Sequence, residues 1–326
     1  MYSPAPMHIP DGFLSTLVSV VFWMVSAIAV TYALRRVGKD LGERQVPVMG
    51  VLAAAIFAGQ MLNFSVTGGT SGHLLGAALA TILLGPWAAV IVLTSVVSMQ
   101  ALIFQDGGLL ALGTNLFNMA IVGVTVSYFV YSSIQKLARG KSWGVFIGGA
   151  AAAWFSIVIA SLACALELAL SGTSPANIAV PAMGGIHMLI GIGEGLITVG
   201  ALAFLYAARP DLLRAGETAN KGSAAVWIFG LGIAALLTAL SPLASAHPDS
   251  LEWVAEQNGF LEAARAPLYN IISDYSFPGI SNTALATIIA GVLGMLLVFG
   301  TVLGVAYWRR KKEIDYPQRA PRNTKE

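Results

Sequence analysis

Cysteine is almost absent from this chain. Cys164 stands alone inside an apolar run, which excludes an intrachain disulfide and a cysteine-cluster metal site. It reads as a small buried hydrophobe. Charge is scarce as well: 10% of residues against about 25% in soluble domains. With 56% hydrophobic residues gathered in long runs, that shortfall predicts an all-α, polytopic membrane helical bundle. The net charge of +2 lies in a few loops and so bears on topology rather than on a binding field. Met1 to Pro6 hold no Lys or Arg and no cleavage-site pattern, so the first span is expected to do its own targeting. Three catalytic or nucleotide-binding signatures are missing. Gly140-Lys141-Ser142 has Gln135 where a phosphate loop needs its first glycine, so no ATPase is expected in this chain. Gly191 and Gly193 are followed by Leu196 where a dinucleotide fingerprint needs glycine. No His-Glu-x-x-His occurs.

What is present is a succession of nine apolar runs, at about 13–34, 47–63, 73–85, 87–105, 115–135, 143–170, 182–208, 225–243 and 283–307. The third has only 13 residues, about 20 Å of helix against about 30 Å of hydrocarbon, and is expected to be surrounded by other helices. A polar, glycine-rich loop, Ser65 to Gly72, precedes it. Basic residues follow runs one, five, seven and nine: Arg35, Arg36, Lys39 and Arg44; Lys136, Arg139 and Lys141; Arg209, Arg214 and Lys221; Arg309 to Lys312. With nine spans, all of these fall on one side if the N-terminus is outside and the C-terminus is cytoplasmic. The outer loops then keep Arg265 as their single positive residue. The short connections among runs one to seven, against the long polar loop at 244–282, predict a core domain over 7–208. An appended hairpin over 225–307 and a polar cytoplasmic tail over 308–326, disordered from 313, complete the expected division.

Histidine is the residue type that could carry chemistry, and there are four: His8, His73, His187 and His247, all on or near the outer side in this topology. Imidazole suits divalent transition metals. If residue 7 were the first, its α-amino nitrogen, the His8 amide nitrogen and the His8 imidazole could close fused chelate rings, with His73 completing a four-nitrogen set that favours Ni(II) or Cu(II) and accommodates Co(II). With Met1 to Pro6 attached, Met7 offers an amide instead. The alternatives are a start at Met7, trimming, or a different use of His8 and His73. Intramembrane acids are functional candidates by default. Glu194 lies seven residues after His187 on the same helix face and could support a ligand histidine. Asn115 and Asn118 share a face and could orient His8 or His73, while Asp11 either makes a turn with Gly12 or holds an imidazole. These residues alone also leave open a membrane-embedded metalloenzyme using Glu194, or a metal sensor without transport.

Met7-His8-Ile9-Pro10-Asp11-Gly12, Gly72-His73-Leu74-Leu75-Gly76, Asp106-Gly107-Gly108 through Asn115, and His187 through Glu194 occur in that order. Together they resemble the CbiM/NikM family, the substrate-specific membrane components of energy-coupling-factor transporters for cobalt and nickel. His247-Pro248-Asp249-Ser250-Leu251-Glu252 resembles the PDGLE module, with Ser250 in place of glycine, and with the last span is similar to a fused CbiN or NikN subunit. The resemblance implies metal ligation by Met7 (amino nitrogen), His8 (amide and imidazole) and His73 (imidazole); the six residues ahead of Met7 depart from the pattern. It implies no bound cofactor and Co2+ or Ni2+ as transported ligand. The implied partners are a CbiQ/NikQ-like coupling membrane protein and a CbiO/NikO-like cytoplasmic ATPase, with a link to cobalamin biosynthesis and no nucleic acid. The setting is the cell membrane. Changes at His247 and Glu252, in the accessory hairpin, are expected to affect uptake more than equilibrium binding.

Overall fold

A computed structural model describes residues 7–40, 45–208 and 224–315. Each of the nine apolar runs contains a helix. They are α1 (Thr16–Asp40), α2 (Gln45–Gln60), α3 (Ala77–Leu84), α4 (Pro86–Ile103), α5 (Leu112–Leu116) continuing through a π-helical turn (Phe117–Val122) into α6 (Gly123–Ala138), α7 (Trp143–Leu170), α8 (Ala176–Ala208), α9 (Ala224–Leu240) and, after the short outer helix α10 (Ser250–Gln257), α11 (Thr283–Asp315). Among the described residues, six stretches are long and apolar enough to cross a membrane: Thr16–Val37, Pro86–Ile103, Leu112–Ala138, Trp143–Leu170, Ala176–Ala208 and Thr283–Lys312. Gln45–Gln60 and Trp227–Leu243 are shorter apolar helices.

The composition of each helix decides its place. α2 carries apolar or small residues on every side, and nearly all of it is buried, as an all-round apolar helix inside a bundle must be. α1 and α8 instead leave broad apolar faces uncovered, with Leu17, Met24 and Ile28 on one and Leu189, Ile192 and Leu196 on the other exposed as a lipid-contacting surface would be. The chain leaves α3 through Gly85, in the left-handed region at φ 77°, and enters α4 at Pro86. Glycine tolerates that φ and proline suits the first helical position, so the sharp reversal is written in two adjacent residues. α3 begins at Ala77 and not at residue 73, because residues 73–76 run as irregular chain.

Two departures from the sequence reading matter for the site. The loop 65–72 is a small antiparallel hairpin, β1 (Phe64–Val66) with β2 (Thr70–Gly72), turned on Gly68 and Gly69 at φ 99° and 82°. The C-terminal pair is not merely appended: α9 and α11 pack on α2, and the long loop between them folds back over the bundle mouth. The reason is the all-apolar surface of α2, which those two helices cover. α11 also runs on to Asp315, so the tail expected from 308 begins as helix; Arg309 there donates to the Arg35 carbonyl at 3.4 Å, joining the ends of α11 and α1. Residues 209–223, between the expected core domain and hairpin, with the basic residues Arg209, Arg214 and Lys221, lie outside the described residues, as do Arg44 and residues 1–6 and 316–326.

A close backbone approach between α1 and α5 tests this packing. A Cβ at Gly113 would stand 2.5 Å from the Trp23 Cα, and Ser26 Oγ donates to the Gly113 carbonyl at 2.6 Å. Gly113→Val is expected to destabilise the protein by about 1–3 kcal/mol through overpacking. Gly300→Val, where the added atom meets open space, should leave the detergent melting temperature near wild type. Equal melting temperatures for the two variants would contradict the α1–α5 contact.

Candidate metal centre

Residues 7–14 form no helix or strand, yet Met7, His8, Ile9, Phe13 and Leu14 are buried. A buried irregular segment must have its backbone groups satisfied from elsewhere. Asn115 does this for Ile9 on both sides: its Oδ1 accepts from the Ile9 N–H and its Nδ2 donates to the Ile9 carbonyl, each at 3.1 Å. The Ile9 carbonyl also accepts from Gly108 N–H at 2.9 Å. The Met7 N–H donates to Asp106 Oδ1 at 2.7 Å. Asp11 faces the other way, its carboxylate accepting from the N–H groups of Leu109, Leu110 and Ala111 at 2.8–3.1 Å. The Asp11-Gly12 turn is therefore present, with Gly12 at φ 98°, and Asp11 caps the 109–111 backbone and is not on an imidazole.

This anchoring delivers His8 to the bundle mouth. Its ring stands edge-on to that of His73, centroids 5.5 Å apart. Two imidazoles sharing one ion have centroids about 4–6.5 Å apart, given metal–nitrogen bonds of about 2 Å. His8 Nδ1 lies 3.2 Å from Asp106 Oδ1 and 3.3 Å from the Asp106 carbonyl, while His8 Nε2 is buried with no hydrogen-bond partner. His73 Nδ1 lies 3.0 Å from Asp249 Oδ1. Both rings border a cavity of about 90 Å3, shared with Met7, Asn115, Asn118, His187 and Asp249. Among the described residues no three His, Cys, Asp or Glu side chains gather as a metal-ligand group, so further donors would have to be of another kind, the main chain included.

The ionisation of the two outer groups is set by their neighbours. Burial works against a charged His73 ring, but the Asp249 carboxylate beside it, by charge and hydrogen bond, together with Asp106 and Glu194 outweighs that, and the pKa lies above the ordinary imidazole value. Burial likewise works against the Asp106 carboxylate. The His8 ring, by charge and hydrogen bond, and the Tyr275 hydroxyl, which donates to Asp106 Oδ2 at 2.6 Å, more than compensate and hold its pKa below the ordinary value.

The supporting residues divide. His187 borders the cavity, its Nδ1 2.7 Å from the Met183 carbonyl and its Nε2 3.2 Å from Ser250 Oγ. Glu194 is not on His187 despite the shared face. Its two oxygens accept from Leu75 and Gly76 N–H at 2.8 and 2.9 Å, so it fixes the irregular segment that carries His73 into α3. Asn118, on the π-helical turn, donates to Glu167 Oε2 at 2.7 Å, and its Oδ1 is left buried without a partner. π-Turns within helices often mark functional positions. His247 is exposed and lines a separate, larger cavity of about 470 Å3, which adjoins the first at Met7 and Asp249. Sequence reasoning missed Asp106, Asp249 and Tyr275 as partners of the site; the signal for Asp106 was its place in the Asp106-Gly107-Gly108 turn, since a Cβ at Gly107 would come within 2.9 Å of the His8 Cβ.

The structure defines a helical membrane bundle with a candidate metal site at its mouth, where the buried His8 ring faces the partly buried His73 ring. Residues 8–212 match the family described as cobalt uptake substrate-specific transmembrane region, and residues 224–311 match the PDGLE domain. A putative fused nickel transport protein NikMN of Archaeoglobus fulgidus is 38% identical over 312 residues, 93% of this chain and 98% of that one. The fused nickel transport protein NikMN of Rhodobacter capsulatus is 33% identical, covering 80% and 79%. The crystal structure of a truncated transition metal transporter aligns with a TM-score of 0.55 at 37% identity, covering 61% of this chain and 98% of that one. The chain belongs to the CbiM family, with a PDGLE domain fused behind it.

Removing the Asn115 clamp isolates its contribution. Asn115→Ala leaves the Ile9 N–H without its side-chain partner, a loss of about 1–3 kcal/mol for a buried donor. Backbone amides of residues 8–11 are expected to exchange with deuterium at least tenfold faster, with α7 and α8 unchanged. Unaltered exchange would show that the segment is held by something else.

Proposed function

We propose that the chain is the substrate-capture membrane component of an ATP-driven energy-coupling-factor importer for Co2+ or Ni2+, the metals named in its family and in its fused relatives. The ligands are the nitrogen of Met7, the amide and imidazole of His8, and the imidazole of His73. The observation that carries this reading is the pairing of two imidazoles 5.5 Å apart on one cavity that Met7 also lines. A divalent transition ion suits imidazole, and His8 uses Nδ1, the ring nitrogen that closes a six-membered chelate with its own amide, so the ion takes the place of the Asp106 contact there. ATP hydrolysis belongs to separate subunits, a CbiO/NikO-like ATPase acting through a CbiQ/NikQ-like membrane protein. Uptake through such an assembly serves cobalamin synthesis where the ion is cobalt. Residues 7–208 form the metal-binding domain and 225–307 the accessory module.

Orientation follows from the basic residues. Arg35, Arg36 and Arg309 to Lys312 lie at the joined ends of α1 and α11, opposite the site, and a Lys/Arg-rich end faces the cytoplasm. The N-terminus and the metal site then face outward and the C-terminus inward. A membrane metalloenzyme is the weaker reading, because Glu194, the base it would use, commits both oxygens to main-chain N–H groups.

His73→Ala is expected to weaken Ni2+ and Co2+ binding to the purified full chain at least a hundredfold, while size-exclusion behaviour and melting temperature stay near wild type. Unchanged affinity in a folded variant would remove His73 from the ligand set. Proton competition gives a second expectation. A raised His73 pKa means that the ring keeps its proton to higher pH, and metal must displace that proton. Apparent affinity should therefore keep rising above the ordinary imidazole range, past about pH 6.5. Affinity that levels off below that pH would contradict a ligand role for this ring.

A further inference from the structure

The cobalt-uptake match ends at residue 212, and the carboxylate that touches His73 lies beyond it, in the PDGLE match. Asp249 is buried and its Oδ1 is 3.0 Å from His73 Nδ1. Its backbone is tied to the segment that carries His73. Residues Ser71 and Asp249 form a parallel β-bridge, the Ser71 N–H donates to the Pro248 carbonyl at 2.9 Å, and Ser71 Oγ donates to the His247 carbonyl at 3.0 Å. Thr70 Oγ1 adds a bond to the Pro248 carbonyl at 3.1 Å. The outer loop thus extends the β-hairpin by one strand-like residue, two positions before the histidine, and places a carboxylate on that histidine's ring. A metal-ligating histidine needs its other ring nitrogen held, because that bond fixes both the tautomer and the direction of the ring.

We propose that Asp249 is a positioning residue for metal capture: its carboxylate holds the Nδ1–H of His73, leaving Nε2 as the ligating nitrogen, so that the C-terminal module completes the metal site of the N-terminal one. The inference rests on His73 being a ligand, as in the function proposed above. It differs from a purely accessory role for the loop, under which changes there would alter uptake and leave equilibrium affinity alone. A carboxylate so placed raises the basicity of the ligating nitrogen and removes ring rotation as a cost of binding, and losing such a partner typically lowers metal affinity about 10–100-fold.

Asp249 has a second task that the test must separate. Its Oδ2 caps α10, accepting from the Leu251 N–H at 3.4 Å and from Ser250 Oγ at 3.3 Å. Serine and asparagine both cap helices well. Asparagine also keeps a neutral oxygen in reach of the His73 ring, whereas serine is too short. The experiment measures Ni2+ affinity of the full chain in nanodiscs, by competition with a chromophoric chelator, for wild type, Asp249→Asn, Asp249→Ser, Asp249→Ala and the exposed loop control Glu262→Gln. Positioning predicts a graded loss: up to about tenfold for Asn, about 10–100-fold for both Ser and Ala, and none for Glu262→Gln. A capping role alone predicts Asn and Ser both at wild-type affinity with only Ala impaired, and would overturn the proposal. So would wild-type affinity in all three Asp249 variants while His73→Ala abolishes binding. If His73→Ala itself binds normally, the ligand assignment fails and this inference falls with it; the two failures are distinguished by that variant.

Discussion

Backbone that is neither helix nor strand survives inside a membrane protein only where other parts of the chain satisfy it. Residues 7–11 are such a backbone, and the site exists because their polar groups are matched. Asn115 grips Ile9 from both sides, Asp106 takes the Met7 N–H, and Asp11 ties the segment to residues 109–111. The two turns lock into one another, with no room for a side chain at Gly107 beside His8. The position of the first imidazole is thus a consequence of hydrogen bonds between stretches about a hundred residues apart.

The second imidazole is placed by a comparable device on the facing side. α3 is too short to cross the bilayer, so it starts below the mouth and leaves residues 73–76 as irregular chain above it. Glu194, on α8, accepts the N–H groups of Leu75 and Gly76, and the β1–β2 hairpin fixes the approach. The long loop between α9 and α11 then reaches both halves, with Tyr275 on Asp106 and Asp249 on His73. A loop that touches both halves of the site joins the two regions of the chain that match different family models.

Much of the helical architecture was legible in the sequence, because the signal was strong and local. Long apolar runs separated by basic or glycine-proline breaks mark helices by composition alone, and run six, 143–170, coincides with α7. The facing of His8 and His73 was legible from the order of the motifs and from the expectation that both lie on one side of the membrane. What was not legible depends on distance in sequence. Asp249 follows His73 by 176 residues, and no periodicity reports such a pairing. Glu194 shows the limit of helical spacing: it does share a face with His187, but a 33-residue helix crosses several neighbours, and its carboxylate found two main-chain donors first. The hairpin at 64–72 was hidden by its brevity, three residues a strand, and by glycines that signal a loop as readily as a turn.

The central claim is that one ion sits between the rings of His8 and His73. Nickel K-edge X-ray absorption on the Ni2+-loaded full chain, repeated on a sample labelled with 15N-histidine for pulsed electron–nuclear spectroscopy of the Cu2+ form, tests it directly. The account predicts an all-nitrogen/oxygen shell without sulfur and hyperfine coupling from two distinct imidazoles, reduced to one in His73→Ala. Coupling from a single imidazole in the unsubstituted protein, or a sulfur scatterer in the shell, would contradict it.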